Sequence, residues 1–266
     1  MKVYAVKLDF STLDHDLYDR ALASPLLDDE SRTRVRRFFR REDAWRCLVG
    51  RLLPFYALRH TGIVPSSIHI SRTESGKPFI ATGAPGFTFN VSHDSNLVVL
   101  AHDDDASSAV GIDVMRCALP NGETLQSFVH ILSEQLTPLE RASILAAPFA
   151  QSAPERPDAV IRLFQLWTLK EAYTKALGFG LGFDFARVEY ALDAAYVSID
   201  SGLTSLAGWA FDETRLDVQG HPYAIVVARS GVVGAAGGDV KRWAAPEDLI
   251  ALLDARTVLE QVVQES

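Results

Sequence analysis

Twice along this chain, stretches with helical spacing give way to runs of closely spaced strands, and that recurrence constrains the fold more than any single residue. Residues 3 to 8 alternate and open as a strand. Asp28-Asp29-Glu30-Ser31 supplies cap-type residues and early acids to a helix running through Arg41. A second helix, from about Glu42, carries Trp45, Leu48, Val49, Leu52 and Leu53 at helical spacing. Pro54 is expected to kink or break it, and Gly62 to end the region. Residues 67 to 71 are short and β-like, and Gly76-Lys77-Pro78 follows as a turn. Residues 87 to 91, 97 to 102 and 110 to 115 then read as strands.

After Pro120 the pattern turns helical again, over residues 123 to 132 and 138 to 145. Residues 146 to 157, rich in Ala and Pro, read as a loop insertion. Residues 160 to 177 form the longest helix, with Gly178 suited to its C′ position. Strands follow at 188 to 192, 208 to 212 and 223 to 228, and Pro246, Glu247 and Asp248 start a last amphipathic helix. The class is α+β, with halves of similar form meeting near residues 105 to 115 and bounded as 1–108 and 109–266. No self-similarity in the residues themselves marks a repeat.

With 266 residues, 48% of them hydrophobic, the chain can bury a large core as one domain or two. Its 26 basic and 34 acidic residues leave a net charge of −8, which argues against non-specific nucleic-acid binding. The acidity is uneven: Arg32, Arg34, Arg36, Arg37, Arg40, Arg41, Arg46 and Arg51 are opposed only by Glu42 and Asp43. That block is either a solvated helix face or a site for phosphate or an acidic partner. Cys47 and Cys117 form no framework and no metal-ligand spacing, which fits a reducing compartment. No apolar run is long enough to span a bilayer and no targeting stretch opens the chain, so a cytoplasmic protein is expected.

Three segments could carry chemistry. In Gly111-Ile112-Asp113-Val114, Ile112 and Val114 face one side of a strand, so Asp113 and Met115 face the other. A carboxylate in so apolar a strand is hydrogen-bonded structurally, paired with a cation, or coordinating a metal. In the run from Trp167 to Lys175, Trp167, Glu171 and Lys175 share one helical stripe. Glu171 and Lys175 are either an ordinary helix pair or a functional pair on a mostly apolar helix. In Phe89-Asn90-Val91-Ser92-His93, Ser92 and His93 point to opposite faces, which disfavours a serine hydrolase, and no G-x-S-x-G elbow occurs. The glycines of Gly178 to Gly182 follow a helix and lack a G-K-[ST] ending, so they mark a helix stop and turn, not a phosphate loop.

Taken in order, Asn90 to His93, Gly111 to Asp113, and Trp167 through Lys175 to Gly178 resemble the three signature blocks of the 4′-phosphopantetheinyl transferases. Arg34, Arg72 and Gly76-Lys77-Pro78 resemble the family's coenzyme A-binding positions, so the likeness covers residues 28 to 190. The length points to the larger, surfactin-type subfamily. That resemblance implies a monomeric pseudodimer of two similar α+β half-domains with the active site in the cleft between them. The commoner bacterial pattern has a second acid two residues after Asp113. Here Met115 stands there, as in the eukaryotic aminoadipate-semialdehyde dehydrogenase-phosphopantetheinyl transferase type.

The resemblance implies a magnesium-dependent transfer of phosphopantetheine from coenzyme A to a carrier-protein serine. Asp113 and Glu171 would hold Mg2+, Asp94 helping through a water, with Glu171 also the base. Lys175 would stabilise the phosphate oxygens or the leaving 3′,5′-ADP. Arg34, Arg72, Lys77 and His93 would hold the phosphates, and Asn90 and Ser92 would shape their pocket. Partners would be acyl or peptidyl carrier proteins or domains of fatty-acid synthase, polyketide and peptide synthetases, and aminoadipate-semialdehyde dehydrogenase. The alternative is a non-catalytic coenzyme A- or nucleotide-binding module.

Overall fold

The computed structural model describes residues 1–64, 67–145, 157–179 and 182–264. Residues 146–156 of the Ala- and Pro-rich stretch, and Gly180-Leu181 of the glycine turn, lie outside them. In chain order the elements begin β1 (Lys2–Lys7), α1 (His15–Ala23), α2 (Asp29–Arg36), α3 (Arg41–Arg59), β2 (His69–Arg72), β3 (Pro78–Thr82), β4 (Thr88–Asp94) and β5 (Leu97–Asp103). There follow β6 (Val110–Arg116), α4 (Leu125–Ile131), α5 (Pro138–Leu145), α6 (Pro157–Leu177), β7 (Val188–Ala191) and β8 (Tyr196–Ile199). The chain ends with β9 (Ala210–Val218), β10 (His221–Arg229), β11 (Val240–Trp243), β12 (Ile250–Asp254) and α7 (Ala255–Gln264).

Two compact units result, one of residues 1–106 with 247–266 and the other of residues 107–246. Each runs through one strand, three helices and two successive strand pairs, the last helix being the longest. In the first unit β1 and β4 both pair antiparallel with β5. In the second, β6 and β9 both pair antiparallel with β10. The three-strand arrangement β1-β5-β4 therefore recurs as β6-β10-β9. The fourth, parallel strand joins opposite edges: β12 lies beside β1, and β11 beside β9. The recurrence of form in the sequence is thus a recurrence of topology.

The first unit's core packs α3 and α7 with the sheet, through Leu48, Leu52, Leu53, Val258 and Leu259, all fully buried. Pro54 does not break α3, which is continuous from Arg41 to Arg59. Proline inside a helix costs about 3 kcal/mol, whereas burying a large apolar side chain returns about 1.5–3 kcal/mol. With Leu52, Leu53, Phe55 and Leu58 all buried around it, packing outweighs propensity.

Several elements differ from the sequence expectation: β3, β8 and β11 were not foreseen, and β9 extends to Val218 where the strand was expected to end at residue 212. The helix expected to run through Arg41 ends at Arg36, and α3 begins at Arg41 without a side-chain cap. Helix α1 was not legible in the apolar pattern; the Asp14 carboxylate caps it by accepting from Leu17 N at 2.8 Å. Near the C-terminus the helix starts at Ala255, not Pro246, because residues 250–254 pair with β1, Val3 opposite Ile250. That pairing also carries residues 247–266 into the first unit, where the expected boundary had left them in a continuous second half. Among the described residues no helix is long and apolar enough to cross a membrane.

In the second unit α6 lies on β6 and β10, with Leu163, Leu166, Leu169 and Ala172 in the core. The approach is closest at Gly111. A Cβ there would sit 2.1 Å from the Ala172 carbonyl oxygen and 2.3 Å from the Ala176 nitrogen. Only glycine lets the strand and the helix backbone meet so closely. At the far end of α6, Gly178 has φ 76° and its N–H donates to the Thr174 carbonyl at 3.0 Å, the helix stop expected of it. Gly111→Ala should therefore cost about 3 kcal/mol or more, the upper end of overpacking effects. Urea denaturation would show it as a lower midpoint, and an unchanged midpoint would mean that α6 can lift off β6 without loss.

Candidate active site

Asp113 sits mid-strand on β6 opposite Val226 of β10 and is only 3% exposed. The strand's alternation turns it toward α6, on the face that Gly111 keeps open. From α6, Lys175 Nζ donates to Asp113 Oδ1 at 2.5 Å. Glu171, one turn earlier, is half-buried on the same stripe. Burial, and next the charge of Asp113, push the Glu171 carboxyl above its usual range, with Lys175 opposing. Two carboxylates and one ammonium thus share a poorly hydrated site, and the helix pair of the sequence is joined to the strand aspartate.

Lys170, beside Glu171 in sequence, has a different task that sequence reasoning missed. Its side chain is wholly buried and pairs with the equally buried Glu140 at 2.7 Å. The ammonium also donates to the carbonyls of Gln135, Phe185 and Val188 at 2.9, 2.9 and 2.6 Å. Glu140 in turn accepts from Thr137 N and Tyr190 N at 2.8 and 2.9 Å. Such full satisfaction is what a buried ion pair requires. It ties α6 to α5 and to β7, so that Glu171 and Lys175 are presented from a fixed helix. The one available signal was a lysine among apolar helix residues, whose partner lies 30 residues away in sequence.

The first unit holds a pocket of about 640 Å3 lined by Arg34 of α2, Arg51 of α3, Arg72 of β2 and His93 of β4. Phe89 and Val91 line it too, being on the same face of β4 as His93. Asn90 and Ser92, buried at 5% and 7% exposure, project to the other face of that strand. Lys77 follows Gly76, whose φ of 84° and N–H bond to the Thr73 carbonyl make the expected turn. Burial pushes the Lys77 ammonium down to about 8. Of the candidate phosphate ligands, the pocket therefore gathers Arg34, Arg72 and His93.

Comparison with known proteins bears on both units. Residues 17–105 match the family described as 4′-phosphopantetheinyl transferase, N-terminal, and residues 109–227 match the 4′-phosphopantetheinyl transferase superfamily. The chain is 38% identical to a 4′-phosphopantetheinyl transferase of Paxillus involutus over 86% of this chain and 87% of that one. The chain belongs to the 4′-phosphopantetheinyl transferase family. It is also 30% identical to the human L-aminoadipate-semialdehyde dehydrogenase-phosphopantetheinyl transferase, over 78% of this chain and 69% of that one. The 4′-phosphopantetheinyl transferase of Bacillus subtilis is 30% identical over 75% of this chain and 81% of its own length.

In this transferase the position two residues after Asp113 is apolar in surroundings as well as in kind. Met115 packs with Cys117, Val160, Phe164 and Ala224. Among the described residues no group of three His, Cys, Asp or Glu side chains could hold a metal ion. Asp94 lies on β4, in the first unit.

The raised carboxyl of Glu171 makes a prediction about stability. A carboxyl whose folded pKa lies above its unfolded value, about 4.5, stabilises the fold fully only below that value. Its contribution is lost as pH rises through the folded pKa. In metal-free protein Glu171→Gln should therefore melt higher than the parent at pH 7, with the gap closing as pH falls below about 4.5. Melting curves across that range check it; a variant less stable at pH 7 would show that the Glu171 charge supports the fold.

Proposed function

We propose that this transferase moves the 4′-phosphopantetheine arm of coenzyme A onto a serine hydroxyl of a carrier protein or carrier domain, using magnesium held by Asp113 and Glu171. The observation that supports it most is the meeting of Asp113, Glu171 and Lys175 at one place on β6 and α6. The donor set suits the ion: magnesium takes one or two carboxylate oxygens, substrate phosphates and water, and does not require a third acid. When bound, magnesium supplies positive charge at the diphosphate and holds it in line for displacement.

Glu171 is suited to act as the base. Its place beside Asp113 and Lys175 would let it accept the proton of the carrier serine directly or through a water. The serine oxygen then bonds to the phosphorus that carries the pantetheine arm. The bond from that phosphorus to the bridging oxygen breaks, and 3′,5′-ADP leaves with the bridging oxygen. Lys175, which lies on Asp113 at 2.5 Å, can turn its ammonium to the leaving phosphate once Asp113 is compensated otherwise. Arg34, Arg72, Lys77 and His93 would grip the phosphates of coenzyme A, with Asn90 and Ser92 acting from the opposite side of β4 through the strand's position.

The carrier domains proposed as acceptors are those of fatty-acid synthase, polyketide and peptide synthetases, and aminoadipate-semialdehyde dehydrogenase; the relatives carrying the last name support that choice. Both family segments lie in one chain, which supports action as a monomer. Two free cysteines are consistent with a cytoplasmic location.

Asp113→Ala and Glu171→Ala should each lower transfer at least about a hundredfold while both variants remain folded. The measurement is the mass gain of an apo carrier protein, with 3′,5′-ADP release, with and without chelator. Transfer retained in either variant and insensitive to chelator would rule out the two-carboxylate magnesium site. A silent binding module would consume no coenzyme A at all.

Residue 115 provides a finer test. A thioether is a poor ligand for a hard cation, so Met115→Ala should need no more magnesium than the parent and act only through packing. Met115→Glu places a carboxylate on the Asp113 face and should lower the magnesium required, at some loss of stability from its apolar cluster. If Met115→Ala needed far more magnesium in a titration of transfer rate, Met115 itself would be supporting the metal site.

A further inference from the structure

The second unit repeats the setting of the first unit's pocket with different side chains. That first pocket lies between α3 and β4, and β4 pairs with β5 as β9 pairs with β10. Between α6 and β9 lies another pocket, of about 490 Å3, completed by β11 at the outer edge of the sheet. From Phe89, buried in the core, β4 continues with Val91 and His93 on the same face. From Phe211, buried likewise, β9 continues at the same spacing with Glu213 and Arg215.

Arg162 of α6, Arg215 of β9 and Arg242 of β11 line this pocket, with Glu213 its one acid among the described residues. Glu213 is buried and already spent. Its Oε1 accepts from Gln165, and its Oε2 accepts from the Tyr190 hydroxyl at 2.5 Å and from Arg242 Nε at 3.2 Å. One terminal nitrogen of Arg242 donates to the Tyr190 hydroxyl at 2.9 Å and to the Leu192 carbonyl, while the other has no hydrogen bond among the described residues. Arg162 donates by both terminal nitrogens to Asp193, at 2.9 and 3.1 Å. Its Nε is closed off from solvent and meets no acceptor among the described residues. Arg215 is exposed and has neither ion pair nor hydrogen bond among them. Three guanidiniums against two carboxylates, Glu213 and Asp193, leave one positive charge in excess. A cluster that only tied α6 to the sheet would need Gln165, Glu213, Tyr190 and Arg242, but neither Arg162 Nε nor Arg215. One oxyanion would meet both the unmet donor and the excess charge.

We propose that the pocket between α6, β9 and β11 is a second binding site, separate from the arginine pocket of the first unit, for a small organic anion. Its phosphate or carboxylate head meets Arg215, the remaining terminal nitrogen of Arg242 and Arg162 Nε. Its apolar body lies on Ile161 and Leu192, which line the same space. In this role Glu213 and Asp193 hold two of the guanidiniums in place before the anion arrives. The transfer chemistry uses none of these residues.

The test reads the pocket directly, by nuclear magnetic resonance of the arginine Nε–H groups in the full chain. The signals of Arg162 and Arg242 are identified by their loss in Arg162→Lys and Arg242→Lys. Parent and Arg215→Met proteins are then titrated with inorganic phosphate, acetate, phenyl phosphate and benzoate. Arg215 is the residue to remove, because losing Arg242 would leave Glu213 buried and unpaired. In the parent the two signals should move together and saturate with one dissociation constant, for phosphate, for acetate or for both. Saturation by phosphate alone marks a phosphate ligand, and saturation by acetate alone a carboxylate. Phenyl phosphate or benzoate should bind about tenfold more tightly than the matching bare anion, through the apolar wall. Arg215→Met should bind each about tenfold more weakly, the loss of a charge-assisted bond. Signals that stay still, or that drift without saturating alongside those of every other arginine, overturn the proposal. So does an affinity that Arg215→Met leaves unchanged. Equal affinity for bare and aryl anions overturns the assignment of an organic ligand.

Discussion

The chemistry of the second unit depends on how closely α6 can lie on β6. Gly111 lets the helix backbone come within a distance that any side chain would forbid, at Ala172 and Ala176. Those contacts lie beside Glu171 and Lys175, so the closest approach of helix and strand coincides with the meeting of Asp113 and Lys175. Had the helix ridden higher on a larger residue, the strand carboxylate and the helix ammonium would be separated by the thickness of that residue. The small residue next to the aspartate and the small residues on the helix are thus parts of one geometric device.

Two lysines on the same helix show how burial decides between structure and chemistry. Lys170 has its ammonium shared among Glu140 and three backbone carbonyls, with no exposure at all. Moving it would leave a charge uncompensated in the core, which ordinarily costs several kcal/mol. Lys175 keeps a side chain 29% exposed and reaches Asp113 at the edge of water. Its charge can be handed to another anion without opening the core. The first is a fixed anchor, and the second can take part in a reaction because it is not one.

The repeated topology explains the placement of the other functional groups. In each unit the long helix and its following strands form a rigid platform, yet the two platforms carry different residues. The first presents arginines around a pocket, and the second presents carboxylates under a helix. Divergence is visible in the sheets as well, where the parallel fourth strand is added at opposite edges. A common scaffold with unlike side chains accounts for a recurrence of form that leaves no recurrence of residues.

Much was determined by the sequence alone. Apolar periodicity and turn residues placed β4, β5, β6, α6 and β10 within a few residues of their observed limits, because these elements bury apolar stripes. The signature blocks around Asn90, Asp113 and Glu171 named the family, since they are short, local and ordered. What local pattern could not decide was set by partners distant in the chain. Residues 250–254 became a strand because β1 offered them an edge. Pro54 stayed within a helix because the core around it outweighed its propensity. Lys170 became an anchor through Glu140, and Arg51 entered the pocket of Arg34 and Arg72, by contacts between different elements. Local propensity is a matter of tenths of a kcal/mol to about 1 kcal/mol per residue, while burial of a charge or a large apolar side chain is a matter of several. The second scale prevails wherever the two conflict, and it can be evaluated only once the chain has brought the partners together.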